Sequence, residues 1–288
     1  MLGPVRSTLL SVSSRRAGPH WQNVPPLMFS RVRSWIVYLA KWVRFGVWYC
    51  KSLSFAAVGI AGKRVTLSFP HEERSIHEWE LGQILFSDCY RLAHIRYPVK
   101  TVLDIGANIG LFALSAREHF PVARIECYEP NPMLADHLFS HCRQIGATPH
   151  MEAIGSKTDR ISLCQGSASM YSVSKKGGEI PQRAFCDAIA RIGTVDVLKL
   201  DCEGAEWDIF TDVASWRNVR SLVMEYHLWA RPGLSTDMLQ KLFLELGFAH
   251  ILIERTPYSW GFAFASKEPV RWARPWWKRV IMHATLTP

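Results

Sequence analysis

From Val99 onward, apolar runs alternate regularly with stretches of helical periodicity. TVLDI (101–105) leads into a helical pattern from about Asn108 to Phe120, and RIECYE (124–129) into another from about Pro132 to Gln144, closed by Gly146. PHMEAI (149–154) reads as the next strand, and VDVLKL (195–200) as a further one, followed by a helix from Ala205 to about Val213. SLVMEY (221–226) precedes a helix from about Thr236 to Leu246, with Ser235 or Thr236 as N-cap and Gly247 after its end. HILIE (250–254) and WGFAFA (260–265) form a hairpin that inserts one antiparallel strand at the sheet edge. Strands apolar on both faces and alternating with helices predict a parallel sheet covered on both sides. The stretch 156–191 is less regular, with an extra strand at RISLC and a Ser/Gly-rich loop, GSASMYSVSKKGG.

The first strand–helix turn carries the first candidate chemistry. In such a sheet, ligands bind at the carboxyl ends of the strands near the topological switch point. Here that turn reads Asp104-Ile-Gly106-Ala-Asn108-Ile-Gly110. Gly106 suits a positive φ, Gly110 a close approach of the helix, and Asn108 a left-handed conformation or a helix cap. The G-x-G-x-x-G spacing of a dinucleotide site is missing, and a carboxylate beside the turn would repel a pyrophosphate. A ligand with a cationic centre and no phosphate fits better, and S-adenosylmethionine is such a ligand. Glu129 ends the next strand and could accept two hydrogen bonds from ribose hydroxyls.

A second constellation lies in VDVLKLDCEGAEWDIF (195–210). Lys199, Asp201 and Glu203 occupy alternate positions, so in an extended chain they share one face at ~6.7 Å spacing. Glu206 falls in the first turn of the following helix, where the dipole favours an acid. A lysine inside a central strand is unusual, and charges there need partners or a use. Glu225 and His227 mark the carboxyl end of the strand after it.

Composition changes the picture mainly at the N-terminus. Of the 34 Lys and Arg, ten lie in residues 1–71, which contain no acid. The rest holds 24 basic and 25 acidic residues, so the core is near neutral and a nucleic-acid-binding core is disfavoured. Seven scattered cysteines without metal spacing (Cys50, Cys89, Cys127, Cys142, Cys164, Cys186, Cys202) suit a reduced, cytoplasmic interior. The organisation expected is a disordered leader (1–30), a basic aromatic segment (31–64), an N-terminal cap (65–98), the catalytic domain (99–268) and a basic aromatic tail (269–288). On a helical wheel of 31–51, Arg33, Lys41, Arg44 and Lys51 fall within ~80° of one another. Trp35, Ile36, Leu39, Trp42, Val43, Phe45 and Val47 lie on the other side. That is the pattern of a helix lying on an anionic membrane surface, and 271-RWARPWWKRV-280 repeats its composition.

VLDIGANIGLFAL together with VLKLDCEGAEWDIF, and then EYH one strand later, resembles the FkbM-type S-adenosylmethionine-dependent methyltransferases over roughly residues 99–266. The resemblance implies a class I methyltransferase fold, α/β and Rossmann-like, with a seven-stranded, mostly parallel sheet whose last strand is antiparallel. It implies methylation of hydroxyls on sugars, macrolides and related secondary metabolites, with no required metal. It makes Asp104, Gly106, Asn108, Gly110 and Glu129 cofactor residues, and Lys199, Asp201, Glu203 and Glu206 the signature cluster. Asp201, Glu203 or His227 would serve as base, and the acceptor would be a glycan, a lipid-linked sugar or a secondary metabolite. Two alternatives stay open: another acceptor such as RNA, and a non-catalytic cofactor-binding module with a basic docking arm.

Overall fold

The structure is a computed structural model and describes residues 48–49, 55–164, 172–174 and 178–271. The leader, residues 31–47 and 50–54 of the basic segment and all of the tail beyond Arg271 lie outside the described residues. Within that segment β1 (Trp48–Tyr49) pairs antiparallel with β2 (Phe55–Ile60), itself paired with β3 (Lys63–Thr66). A helix through 31–51 therefore cannot run to its expected end, because the backbone at 48–49 is committed to a strand ladder. Among the described residues, no helix is long and apolar enough to cross a membrane.

Helix α1 (Arg74–Leu81) runs into a π-helical turn, Gly82–Phe86. Then comes the α/β repeat read from the sequence: β4 (Thr101–Ile105), α2 (Leu111–His119), β5 (Arg124–Tyr128), α3 (Ala135–Ile145) and β6 (Thr148–His150). Gly146, at φ 67°, closes α3 as expected. The chain next builds a small sheet of order β7-β10-β8-β9 from β7 (Ala153–Gly155), β8 (Asp159–Cys164), β9 (Ser172–Ser174) and β10 (Ile180–Ala184). Helix α4 (Phe185–Ile192), β11 (Val195–Leu200), α5 (Glu206–Ile209), β12 (Val219–His227), α6 (Thr236–Glu245), β13 (His250–Ile253) and β14 (Trp260–Ser266) complete it. The Ser235 side chain caps α6 by accepting from Met238 N–H.

The main sheet has seven strands in the order β13-β14-β12-β11-β4-β5-β6. β14 alone runs antiparallel to both its neighbours. It does not sit at the edge as expected. It is inserted between β12 and β13, because the short Glu254–Ser259 link lets β13 fold back onto its outer side. The period-2 alternation of the strands divides the interior into two cores. Val102, Ile125, Val197 and Val223 face one, while Leu103, Tyr128, Leu198 and Met224 face the other. Every residue of β11 is buried, which is why it reads as a continuous apolar run.

The strand order fixes where a ligand can bind. From β4 the chain moves outward one way through β5 and β6, then returns to β11 on β4's other side. The β4/β11 boundary is the topological switch point, and both candidate motifs lie at its carboxyl edge.

Candidate active site

The turn after β4 is held by its neighbours on both sides. The amides of Gly106 and Ala107 both donate to Tyr128 O at 2.9 Å, at the end of β5. Gly106 has φ 77°, and a Cβ there would stand 1.7 Å from the carbonyl oxygen of Asp201. Glycine is thus required by conformation and by the close approach of the β11 turn. Asn108 adopts the left-handed region (φ 51°), and its side-chain oxygen accepts from Ile109 N–H at 2.7 Å. Gly110 is the α2 N-cap at φ 88°. A Cβ there would meet Leu138 of α3 at 3.1 Å, so it is the neighbouring helix, and not the strand, that approaches closely.

Glu129 is buried and braces this loop. Its two carboxylate oxygens accept from Asn108 N–H and Asn131 N–H, each at 2.8 Å. Burial pushes its carboxyl up to about 7, although both amides oppose that shift. Asp104 is wholly buried, and neither carboxylate oxygen has a hydrogen-bond partner among the described residues. Burial raises it to about 6, with the Lys199 charge acting the other way. The nearest cation to Asp104 is Lys199 at 3.5 Å, which also holds Gly106 O, so the acid supports from behind a backbone turn of the kind that cradles an amino-acid ligand. The residues present therefore fit S-adenosylmethionine: Asp104 at the loop, Glu129 at the next strand end, and Gly106, Asn108 and Gly110 shaping the floor.

Lys199 joins the two motifs. Its Nζ donates to Gly106 O, and stands 3.5 Å from Asp104 and 3.4 Å from Asp201. Burial alone would lower its pKa, but Asp201 and Asp104 outweigh burial and hold it above the usual lysine range. The strand ends at Leu200, so the expected single extended face of Lys199, Asp201 and Glu203 does not form. Glu203 turns into the left-handed region (φ 53°) ahead of Gly204 (φ 100°). That reversal carries its carboxylate away from Lys199 and toward His227, at 3.7 Å from Nε2.

Glu206 does more than complement a helix dipole. It is wholly buried, and its Oε1 accepts from Cys202 N–H and pairs with His227 Nδ1, both at 2.9 Å. The α5 helix is a single turn, Glu206–Ile209, shorter than the periodicity predicts. Burial would lower the His227 pKa, yet Glu206, Glu225 and Glu203 raise it well above its ordinary value. Burial pushes Glu203 up to about 8, against the opposing pull of His227.

Glu225, marked in the sequence beside His227, joins the site, and one further member, Tyr90, falls outside the sequence-derived set. Glu225 Oε1 lies 3.7 Å from His227 Nε2, and strand alternation signals it, since 225 and 227 share a face of β12. Tyr90 is 111 positions from Asp201 in the chain, and its hydroxyl donates to Asp201 Oδ2 at 3.0 Å. Its ring packs edge-on against Phe112 and Phe262 and lies 5.9 Å from Lys199 Nζ. No local pattern around Tyr90 could have revealed that contact.

A model of the FkbM methyltransferase domain matches residues 104–249 of the chain. A curated relative, methyltransferase sdnD of Sordaria araneosa, is 25% identical over 210 residues, spanning 57% of this chain and 79% of that protein. Among solved structures, magnesium protoporphyrin IX methyltransferase from Synechocystis PCC 6803 overlays at TM-score 0.42 and 11% identity, covering 70% of this chain and 86% of that one. The fibrillarin pre-rRNA processing protein of Methanococcus jannaschii overlays at TM-score 0.40 and 11% identity, covering 60% and 69%. The matched segment runs from Asp104 through the glycine turn, Glu129 and the Lys199–Glu206 block to the end of α6. The chain belongs to the FkbM methyltransferase family, has the class I methyltransferase fold, and uses S-adenosylmethionine as its methyl donor.

Proposed function

We propose that the protein methylates a hydroxyl group on a glycan, a lipid-linked sugar or a secondary metabolite. The observation that carries this reading is the group of carboxylates gathered around His227 at the ends of β11 and β12, next to the cofactor loop. A sulfonium methyl group already has a good leaving group, so transfer depends chiefly on placing the nucleophile in line. A hydroxyl is a weak nucleophile until its proton has somewhere to go, and Asp201 or Glu203 supplies that acceptor. In the step, the acceptor oxygen bonds to the methyl carbon, the carbon–sulfur bond breaks, S-adenosylhomocysteine leaves, and the proton passes to the carboxylate.

Aromatic rings at this rim support a ring-shaped acceptor. Trp229 is half exposed at 5.5 Å from His227, and Trp260, paired opposite His227 on β14, stacks with Tyr258 at 6.0 Å. Flat apolar faces beside polar groups suit a sugar, which has both kinds of surface. The near-neutral core gives no support to an RNA acceptor. The test is release of S-adenosylhomocysteine when purified protein meets glycan and lipid fractions, with mass spectrometry of the product. A gain of one methylene unit on a hydroxyl is expected; methyl label found only in RNA, or only on nitrogen, would overturn the reading.

The cofactor roles are proposed residue by residue and make a quantitative prediction. Glu129→Ala should weaken S-adenosylmethionine binding by ~1.5–3 kcal/mol, about 10- to 150-fold, by removing a charged hydrogen-bond acceptor. The wild-type affinity should also rise with pH. The folded carboxyl is raised from 4.5 to about 7, and ribose hydroxyls prefer the ionised form. Affinity should therefore climb between pH 6 and pH 8 and then level off. Isothermal titration across that range would show a flat profile if Glu129 were only a loop brace.

A further inference from the structure

We propose that Asp201, Glu203 and His227 form a binding site for one divalent cation. Each offers a ligand atom, and the three atoms lie within 4.8 Å of one another. They come from two adjacent strand ends, the turn after β11 and the last residue of β12, so the fold presents them together.

The imidazole is oriented for this task. His227 Nδ1 is held at 2.9 Å by Glu206 Oε1, and the same oxygen is fixed by Cys202 N–H at 2.9 Å. That leaves Nε2 facing the carboxylates of Glu203 and Glu225, 3.7 Å from each. A proton bridges such a gap poorly, because a hydrogen bond needs about 3 Å. An ion with bonds of ~2.0–2.3 Å spans it with a ligand–ion–ligand angle of roughly 105–135°. All three donor atoms lie within 4.8 Å of one another, so closure by less than about 1 Å brings every pair within reach of one ion.

A second observation points the same way. Glu206 is wholly buried, touches the cluster through His227, and its Oε2 has no hydrogen-bond partner among the described residues. A carboxylate behind a ligating imidazole fixes the ring and strengthens the ligand, which gives this buried acid a use. The charge balance agrees. Asp201, Glu203, Glu206 and Glu225 face one imidazole and Lys199, and Asp104 shares that lysine. Two carboxylates and one imidazole, with other positions open, suit Mn²⁺, Fe²⁺ or Zn²⁺ better than an all-oxygen ion such as Ca²⁺.

The site itself rests on this geometry; its part in the reaction rests on the hydroxyl-methylation reading. There the acceptor oxygen would take an open position and lose its proton more easily, a departure from the metal-free reaction that the family resemblance implies. The two ideas fail separately. The binding test uses neither methyl donor nor acceptor: full-length protein, stripped with a chelator, is titrated with MnCl₂, and free Mn²⁺ is read by electron paramagnetic resonance. One Mn²⁺ per chain is expected, with a dissociation constant below about 100 μM. His227→Gln and Glu203→Gln should each weaken it tenfold or more, and Glu206→Gln by ~10- to 100-fold. S-adenosylmethionine titration of each variant controls for folding, and Glu203→Gln, on a partly exposed turn, carries the test if His227→Gln does not fold. No stoichiometric Mn²⁺ binding below 1 mM (about the weakest range for protein sites), or unchanged binding in folded variants, overturns the site and shows a carboxylate-paired imidazolium only.

Discussion

Asp201→Asn is expected to lower methyl transfer ~10²-fold or more while S-adenosylmethionine binding stays within a few-fold of wild type. The substitution is nearly isosteric, and the amide oxygen can still accept the Tyr90 hydroxyl that now bonds Oδ2 at 3.0 Å. What it removes is a negative charge at the lip of the sheet, 3.4 Å from Lys199. Lys199 keeps Asp104 as counter-ion, so the cofactor loop keeps its anchor. Glu203→Gln should behave similarly, since Glu203 also sits at the rim and is only partly exposed. The measurement is steady-state turnover on an authentic acceptor alongside isothermal titration of the cofactor. If both amide variants turn over within about twofold of wild type, neither carboxylate takes the proton. A loss of turnover with Mn²⁺ binding intact would keep the proton acceptor and overturn the cation site, since both carboxylates are its proposed ligands.

The elements that were legible in the sequence are those whose burial follows a simple period. β4, β5 and β11 are apolar on both faces and bounded by glycine or by charge, and they stand where the pattern puts them. The glycine turn was legible because its conformational demands admit few residues, and the positive φ at Gly106, Asn108 and Gly110 is the consequence. The 156–191 stretch was not. Its helix, Phe185–Ile192, has buried residues at Phe185, Ala188, Ile189 and Ile192, a helical spacing, yet it spans two turns and starts from Ala184 with no side-chain cap. PHMEAI looked like one strand but serves two sheets: β6 ends at His150 in the main one, and β7 begins at Ala153 in the small one. At the site, the acids were legible as residues and their arrangement was not. A left-handed Glu203 sends its side chain to His227, where an extended chain would have aligned it with Lys199. Tyr90 belongs to a long-range contact that only the fold can make.

Lys199→Met should destabilise the protein by about 3–5 kcal/mol near neutral pH, the range for removing one partner of a buried ion pair. Lys199 is 3% exposed, and Asp104, behind it, is not exposed at all. Among the described residues both Asp104 oxygens lack hydrogen-bond partners, so the ammonium is the group that offsets the burial of that charge. Methionine fills similar space and supplies no charge, which leaves Asp104 to be protonated or to remain an uncompensated anion. The sign of the pH effect follows. Asp104 is already raised from 3.8 to about 6 by burial, and losing Lys199 removes the influence that holds it down. An acid whose folded pKa lies above its unfolded value loses stability as pH rises between the two. The variant extends that interval upward, so its deficit relative to wild type should grow from pH 5 to pH 8. For a chain of this size each kcal/mol lowers Tm by about 2–4 °C, giving a shift of roughly 6–20 °C at the upper end. Thermal unfolding of both proteins across that range is the measurement. A deficit independent of pH would mean that methionine acts through packing, and that Asp104 finds its compensation elsewhere.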